Sequence, residues 1–127
     1  MKKWDNKAPT VQMLGRWQPW HEGHLALFKR AHAKTGQVCI MVRDVGETEN
    51  NPFDFATVQK NIVDNLTQIG YIEYNDYIVQ LVPNIVNITY GRDVGYKIEQ
   101  EVFDDATHAI SATEIRRNLA INRDYNA

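Results

Sequence analysis

Two imidazoles carry the first chemical signal. His21 and His24 stand three residues apart in Gly15-Arg16-Trp17-Gln18-Pro19-Trp20-His21-Glu22-Gly23-His24. That spacing puts both rings on one face if the segment opens a helix. Gly23, between them, removes a side chain that would keep a bulky ligand off the backbone. A helix start adds free backbone donors and a partial positive charge, and both favour phosphate. Gly15 is expected to let the chain leave a strand close to a ligand without a Cβ clash. These features suit a polyphosphate lying on the helix start, with imidazole donors reaching its oxygens. Two other readings compete: an ordinary surface pair, and two ligands of a zinc ion. Zinc needs a third protein ligand, and Cys39, His32, His108 and scattered carboxylates show no telling spacing for one. No dedicated metal site is expected.

The elements that must position these rings are legible on either side. Thr10-Val11-Gln12-Met13-Leu14 follows Pro9 and ends at Gly15, predicting a strand over 10–14. Leu25, Leu27, Phe28 and Ala31 form an apolar stripe that predicts a helix over 21–34, with Gly36 as its C-cap. Val38-Cys39-Ile40-Met41-Val42 is a continuous apolar run, as expected of a strand covered on both faces. A polar loop with Gly46, Asn50 and Asn51 comes next. Phe55, Val58, Ile62, Val63, Leu66 and Ile69 then predict a second helix ending at Gly70. The alternation over 76–82 predicts a third strand, and 84–90 a fourth, ending in Gly91-Arg92-Asp93. Residues 97–103 read equally as helix or strand. Ser111-Ala112-Thr113-Glu114 has the form of a cap opening a last helix through Ile115 and Leu119. Strands alternating with helices predict an α/β fold: a Rossmann-like single domain over 1–127, with a parallel sheet flanked by helices. In such sheets ligands bind beyond the carboxyl ends of the strands, where the loop after the first strand lies.

Composition narrows the partners. The 127 residues are 43% hydrophobic and 24% charged, enough for one domain with its own core. The formal net charge of -2 argues against a general nucleic-acid binder, which would show a basic excess. The single cysteine, Cys39, cannot form an internal disulfide, which points to a reducing compartment. No apolar run approaches the roughly 20 residues that span a bilayer. The basic start lacks the apolar stretch of a secretory signal, so a cytoplasmic location is expected.

Gly15, Pro19, His21, Gly23 and His24 match outright the Gly-x-Phe-x-Pro-x-His-x-Gly-His signature of the nucleotidylyltransferase superfamily, and Trp17 stands at its Phe position. Ile110-Ser111-Ala112-Thr113-Glu114-Ile115-Arg116 resembles that family's late Ile-Ser-Ser-Thr-x-Ile-Arg. With both signatures in order, the chain resembles the small cytidylyltransferases, such as glycerol-3-phosphate cytidylyltransferase. The resemblance implies transfer of a nucleoside monophosphate from a nucleoside triphosphate to a small phosphorylated metabolite, with pyrophosphate released. CTP is the favoured donor. ATP, with a nucleotide or pantetheine phosphate as acceptor, is the alternative, and a non-catalytic nucleotide sensor of the same fold is a third reading.

Under that resemblance His24 serves the α-phosphate, His21 the neighbouring phosphates, and Arg116 with Ser111 and Thr113 the β/γ end. Gly15, Arg16, Trp17, Gly23, Arg92, Asp93 and Ile110 complete the expected nucleotide contacts. Relatives carry lysines in the loop after the second strand, whereas 44–53 has none, which leaves Arg43 and Lys60 as acceptor candidates. Mg2+ is expected on the nucleotide phosphates, held by them and by water. A homodimer or larger homo-oligomer is implied as well. Attack by an already ionised phosphate needs no general base, so the expected task of the site is charge neutralisation and alignment.

Overall fold

The structure, a computed structural model, describes residues 3–92 and 95–103. Its elements follow in the order β1 (Val11–Gly15), α1 (Glu22–Thr35), β2 (Val38–Arg43), α2 (Phe55–Gln68) and β3 (Tyr77–Val82). The strands form a parallel sheet in the order β1-β2-β3, so the most apolar strand lies at the centre. Val11, Val38 and Tyr77 share one register position, and Met13, Ile40 and Val79 another.

Both crossovers step the same way across the sheet. Right-handed connections therefore put α1 and α2 on one face. Phe28 and Ala31 of α1, and Val58, Ile62 and Leu66 of α2, pack with Met13, Val38, Ile40, Val42 and Tyr77 into a single core. Side chains such as Phe28, Ile62 and Leu66 are fully buried, each stabilising by roughly 1.5–3 kcal/mol relative to exposure. Cys39, Met41 and Arg43 alternate with the buried residues of β2 and are only half-buried. Among the described residues the run over 38–42 is thus covered on one face, not both.

Local chemistry sets the ends of the helices. Gly36 caps α1 in the left-handed region at φ 82, its N–H donating to the His32 carbonyl at 2.7 Å. Asp54 caps α2 by accepting from the Thr57 N–H at 2.8 Å. Hydrogen bonds from Thr57, first from its side chain and then from its backbone N–H, hold the Asp54 carboxyl below the usual carboxylate range.

The chain departs from sequence expectation after β3. Residues 84–90 form no strand, and Val86, Ile88 and Tyr90 are 79%, 58% and 53% exposed. Their apolar character favours extended backbone, but among the described residues no neighbouring strand completes a ladder. Residues 97–103 are also irregular and lie against α1. Arg30 donates to the Val102 carbonyl at 2.8 Å and sits 4.0 Å from the centre of the Phe103 ring. Lys34 pairs with Glu101 at 2.9 Å. The helix expected to start near Ser111 lies outside the described residues. No described helix is long and apolar enough to cross a membrane. Parallel strands joined through helices in this way make an α/β fold of the Rossmann-like kind.

Candidate active site

The carboxyl ends of β1 and β2 lie side by side, Gly15 opposite Val42, and bring Arg16 and Arg43 together. His21 is not in the first turn, as the apolar stripe suggested, but is the residue that caps it, with extended backbone at φ -144. Its Nδ1 accepts from the Gly23 N–H at 3.0 Å, and the Nδ1 of His24 accepts from the His21 N–H at 3.2 Å. A ring nitrogen that accepts carries no proton, so each neutral imidazole holds its hydrogen on Nε2. The two rings stack with centroids 3.7 Å apart. Cap and tautomer together turn both rings into Nε2–H donors at a positive helix end.

Indoles enclose His24. Trp17 meets it edge-on with centroids 4.7 Å apart, and Trp20 lies at 5.6 Å. Burial, and secondly the neighbouring His21, push the His24 pKa down to about 3. His24 is therefore neutral across the physiological range and acts as a hydrogen-bond donor, not as a cation. Trp17 adopts a left-handed backbone at φ 54, which costs a residue with a Cβ roughly 1–2 kcal/mol. Its burial and its indole N–H, which donates to the Met41 carbonyl at 3.1 Å, hold it there. Gly15 answers to this ring: a Cβ on Gly15 would sit 2.9 Å from two Trp17 ring carbons. The expected open approach to a ligand at Gly15 is thus an approach of the protein's own indole.

The guanidiniums supply the positive charge of the site. Arg16 Nη1 donates to Asn51 Oδ1 at 3.2 Å, and Arg43 Nη2 to Asn84 Oδ1 at 2.9 Å. Burial, and next the positive charge of Arg43, lower the Arg16 pKa from its ordinary value. Arg16 Nη2 and Arg43 Nε are buried and lack a hydrogen-bond partner among the described residues. Nor does either arginine pair with a carboxylate among those residues. Two like charges side by side with donors to spare fit an anion. Arg43 also lines a pocket of about 160 Å³ with Gln18, Asp44, Phe53 and Phe55. A second pocket, about 330 Å³, opens between Trp20, His21, Asn61 and Asn65.

Lys60 stands apart from this group: it is exposed on α2 and pairs with Asp64. Arg92 is exposed on the irregular segment after β3. Asp93, Ile110, Ser111, Thr113 and Arg116 lie outside the described residues. Of the other zinc candidates, His32 pairs with Asp76 at 2.9 Å, and no group of three or more His, Cys, Asp or Glu suited to a metal forms among the described residues.

Sequence reasoning missed Gln18, Asn51 and Asn65. Buried Gln18 clasps the Phe53 backbone with both ends of its amide, donating to the carbonyl and accepting from the N–H, each at 3.0 Å. Trp20 Nε1 donates to Asn65 Oδ1 at 2.9 Å. These partners are distant along the chain, and no local pattern announces them.

Donors thus gather where the strands finish, the end at which open α/β sheets take their ligands. No protein-family model matches the chain. It is similar to a nicotinamide-nucleotide adenylyltransferase of Methanococcus aeolicus, at 24% identity over 89% of this chain and 78% of that protein. It is also similar to a nicotinamide-nucleotide adenylyltransferase of Methanococcus maripaludis, at 24% identity over 81% of this chain and 67% of that protein.

Proposed function

We propose that this chain is a nucleotidyltransferase that joins the nucleoside monophosphate part of a nucleoside triphosphate to a phosphate-bearing acceptor and releases pyrophosphate. The observation that carries the reading is the pair of Nε2–H imidazoles at the start of α1, together with two guanidiniums at the strand ends that lack carboxylate partners among the described residues. The name of both relatives favours ATP as donor over CTP, and a nicotinamide nucleotide as acceptor.

In this reading an acceptor phosphate oxygen forms a bond to the α-phosphorus. The bond from that phosphorus to the bridging oxygen breaks, and pyrophosphate leaves with the electron pair. Repulsion between two anions is the obstacle, so the chemistry asked of the protein is neutralisation and alignment. Arg16 on the nucleotide side and Arg43 on the acceptor side draw the two phosphates together. The Nε2–H of His24 donates to the α-phosphate as negative charge builds there, and His21 donates to the next phosphate. Neither ring moves a proton. Magnesium on the triphosphate would screen its charge, with ligands from the phosphates and water. The roles of Ser111, Thr113 and Arg116 rest on the resemblance of their segment to the late signature.

A pyrophosphate-release assay tests the reading with ATP and CTP, each paired with nicotinamide mononucleotide and with glycerol 3-phosphate. ATP-dependent release with nicotinamide mononucleotide is expected. Release with CTP and glycerol 3-phosphate instead would restore the cytidylyl reading, and silence in every pair would overturn transferase activity.

A further inference from the structure

The loop that ends β1 does more than present the imidazoles. Arg16 reaches Asn51 and Gln18 reaches Phe53, so alternate side chains of one loop grip the segment that leads into α2. Gln18 and Phe53 both line the Arg43 pocket, and the carbonyl and N–H of Phe53 are fixed by one amide. A primary amide carries a donor and an acceptor on the same planar end, matched to the two backbone groups of a single residue, and glutamine has the length to reach them here. Gln18 is itself only 4% exposed, so water is a poor substitute for the lost partner.

From this geometry we propose that Gln18 is a positioning residue for the acceptor. It sets where Phe53 stands relative to Arg43, and through it the width of the Arg43 pocket. The proposal rests on the assignment of that pocket to the acceptor. Gln18 bonds the Phe53 backbone with both ends of its amide, at the pocket assigned to the acceptor. Its loss should therefore weaken acceptor binding while leaving donor binding in place.

Gln18→Met keeps the length of the side chain and removes both hydrogen bonds, and Gln18→Glu keeps an acceptor for the Phe53 N–H while losing the donor. In the full chain, hydrogen exchange at the Phe53 amide is measured alongside steady-state turnover. Exchange should quicken at least about tenfold in Gln18→Met, the value of one good buried hydrogen bond. The acceptor KM should rise about tenfold by the same reckoning, with the nucleotide KM within about twofold of wild type. Gln18→Glu should retain a slow Phe53 amide and fall between the two in acceptor KM. Faster exchange with an unchanged acceptor KM would leave Gln18 a merely structural role and overturn the proposal. So would an equal rise in the nucleotide KM, or unchanged exchange. A wild-type chain silent with every acceptor would instead refute the transferase reading, and the proposal would fall with it.

Discussion

Replacing His24 by asparagine separates its two jobs. Its Nδ1 accepts the His21 N–H at 3.2 Å and closes the start of α1, whereas its Nε2–H is the proposed donor to the phosphate. Asparagine can set Oδ1 where Nδ1 stood but has nothing at the Nε2 position. Alanine removes both groups and also empties a space packed by Trp17 at 4.7 Å and His21 at 3.7 Å. Loss of one preorganised donor to developing charge raises a barrier by about 3–4 kcal/mol, so His24→Asn should lower kcat by about two to three orders of magnitude. Loss of the cap bond should cost roughly 1–3 kcal/mol of stability, and His24→Ala alone should show it. Pyrophosphate release gives kcat, and urea unfolding followed by circular dichroism gives stability. Because the ring titrates only near pH 3, His24 should add no acid limb to kcat between pH 5.5 and 7.5. Near-normal turnover in His24→Asn would remove the ring from catalysis. An acid limb near pH 6.5 that vanishes in the variant would refute the neutral-donor argument.

Two further outcomes follow from the same region. A Cβ at Gly15 would meet Trp17 ring carbons at 2.9 Å, and the indole cannot retreat without losing its bond to the Met41 carbonyl; Gly15→Ala should therefore cost about 1–3 kcal/mol in urea unfolding, as overpacking does. His24 is neutral in the folded chain down to about pH 3 but titrates near 6.5 once unfolded. The unfolded state thus binds the extra proton between those values, so stability falls as pH drops below 6.5, by up to about 1.4 kcal/mol per unit from this group; wild type and His24→Asn unfolded side by side from pH 7.5 to 4.5 should diverge in slope.

What could be read in advance was what short-range physics determines. Val38 to Val42 could be read as a strand from its uninterrupted apolar run, and α2 from the spacing of Val58, Ile62 and Leu66. Both patterns reflect burial against a single core. The capping role of His21 was hidden because histidine is not a usual cap, and its function depends on which ring nitrogen faces the chain. The extended reading of 84–90 failed because β propensity needs a partner strand, and none is beside it among the described residues. Gly15 stands out in the sequence as a place of close approach, but what approaches it is Trp17, a contact made only after the loop folds back. The grips of Gln18 on Phe53 and of Arg16 on Asn51 join residues far apart in sequence, and the pairing of Arg16 with Arg43 joins two strand ends. Such contacts are a property of topology and leave no periodic trace.

The placement of the indoles gives the protein an optical reporter. Trp17 and Trp20 both lie against His24, while Trp4 sits at the opposite end of the sheet, its backbone N–H donating to the Tyr74 carbonyl ahead of β3 and its indole N–H to Asn6 Oδ1. With three tryptophans in the chain, a Trp4→Phe variant would leave both remaining indoles at the imidazoles. Nucleotide arrival could then be followed by intensity and wavelength in unlabelled material, and stopped-flow mixing would time it directly.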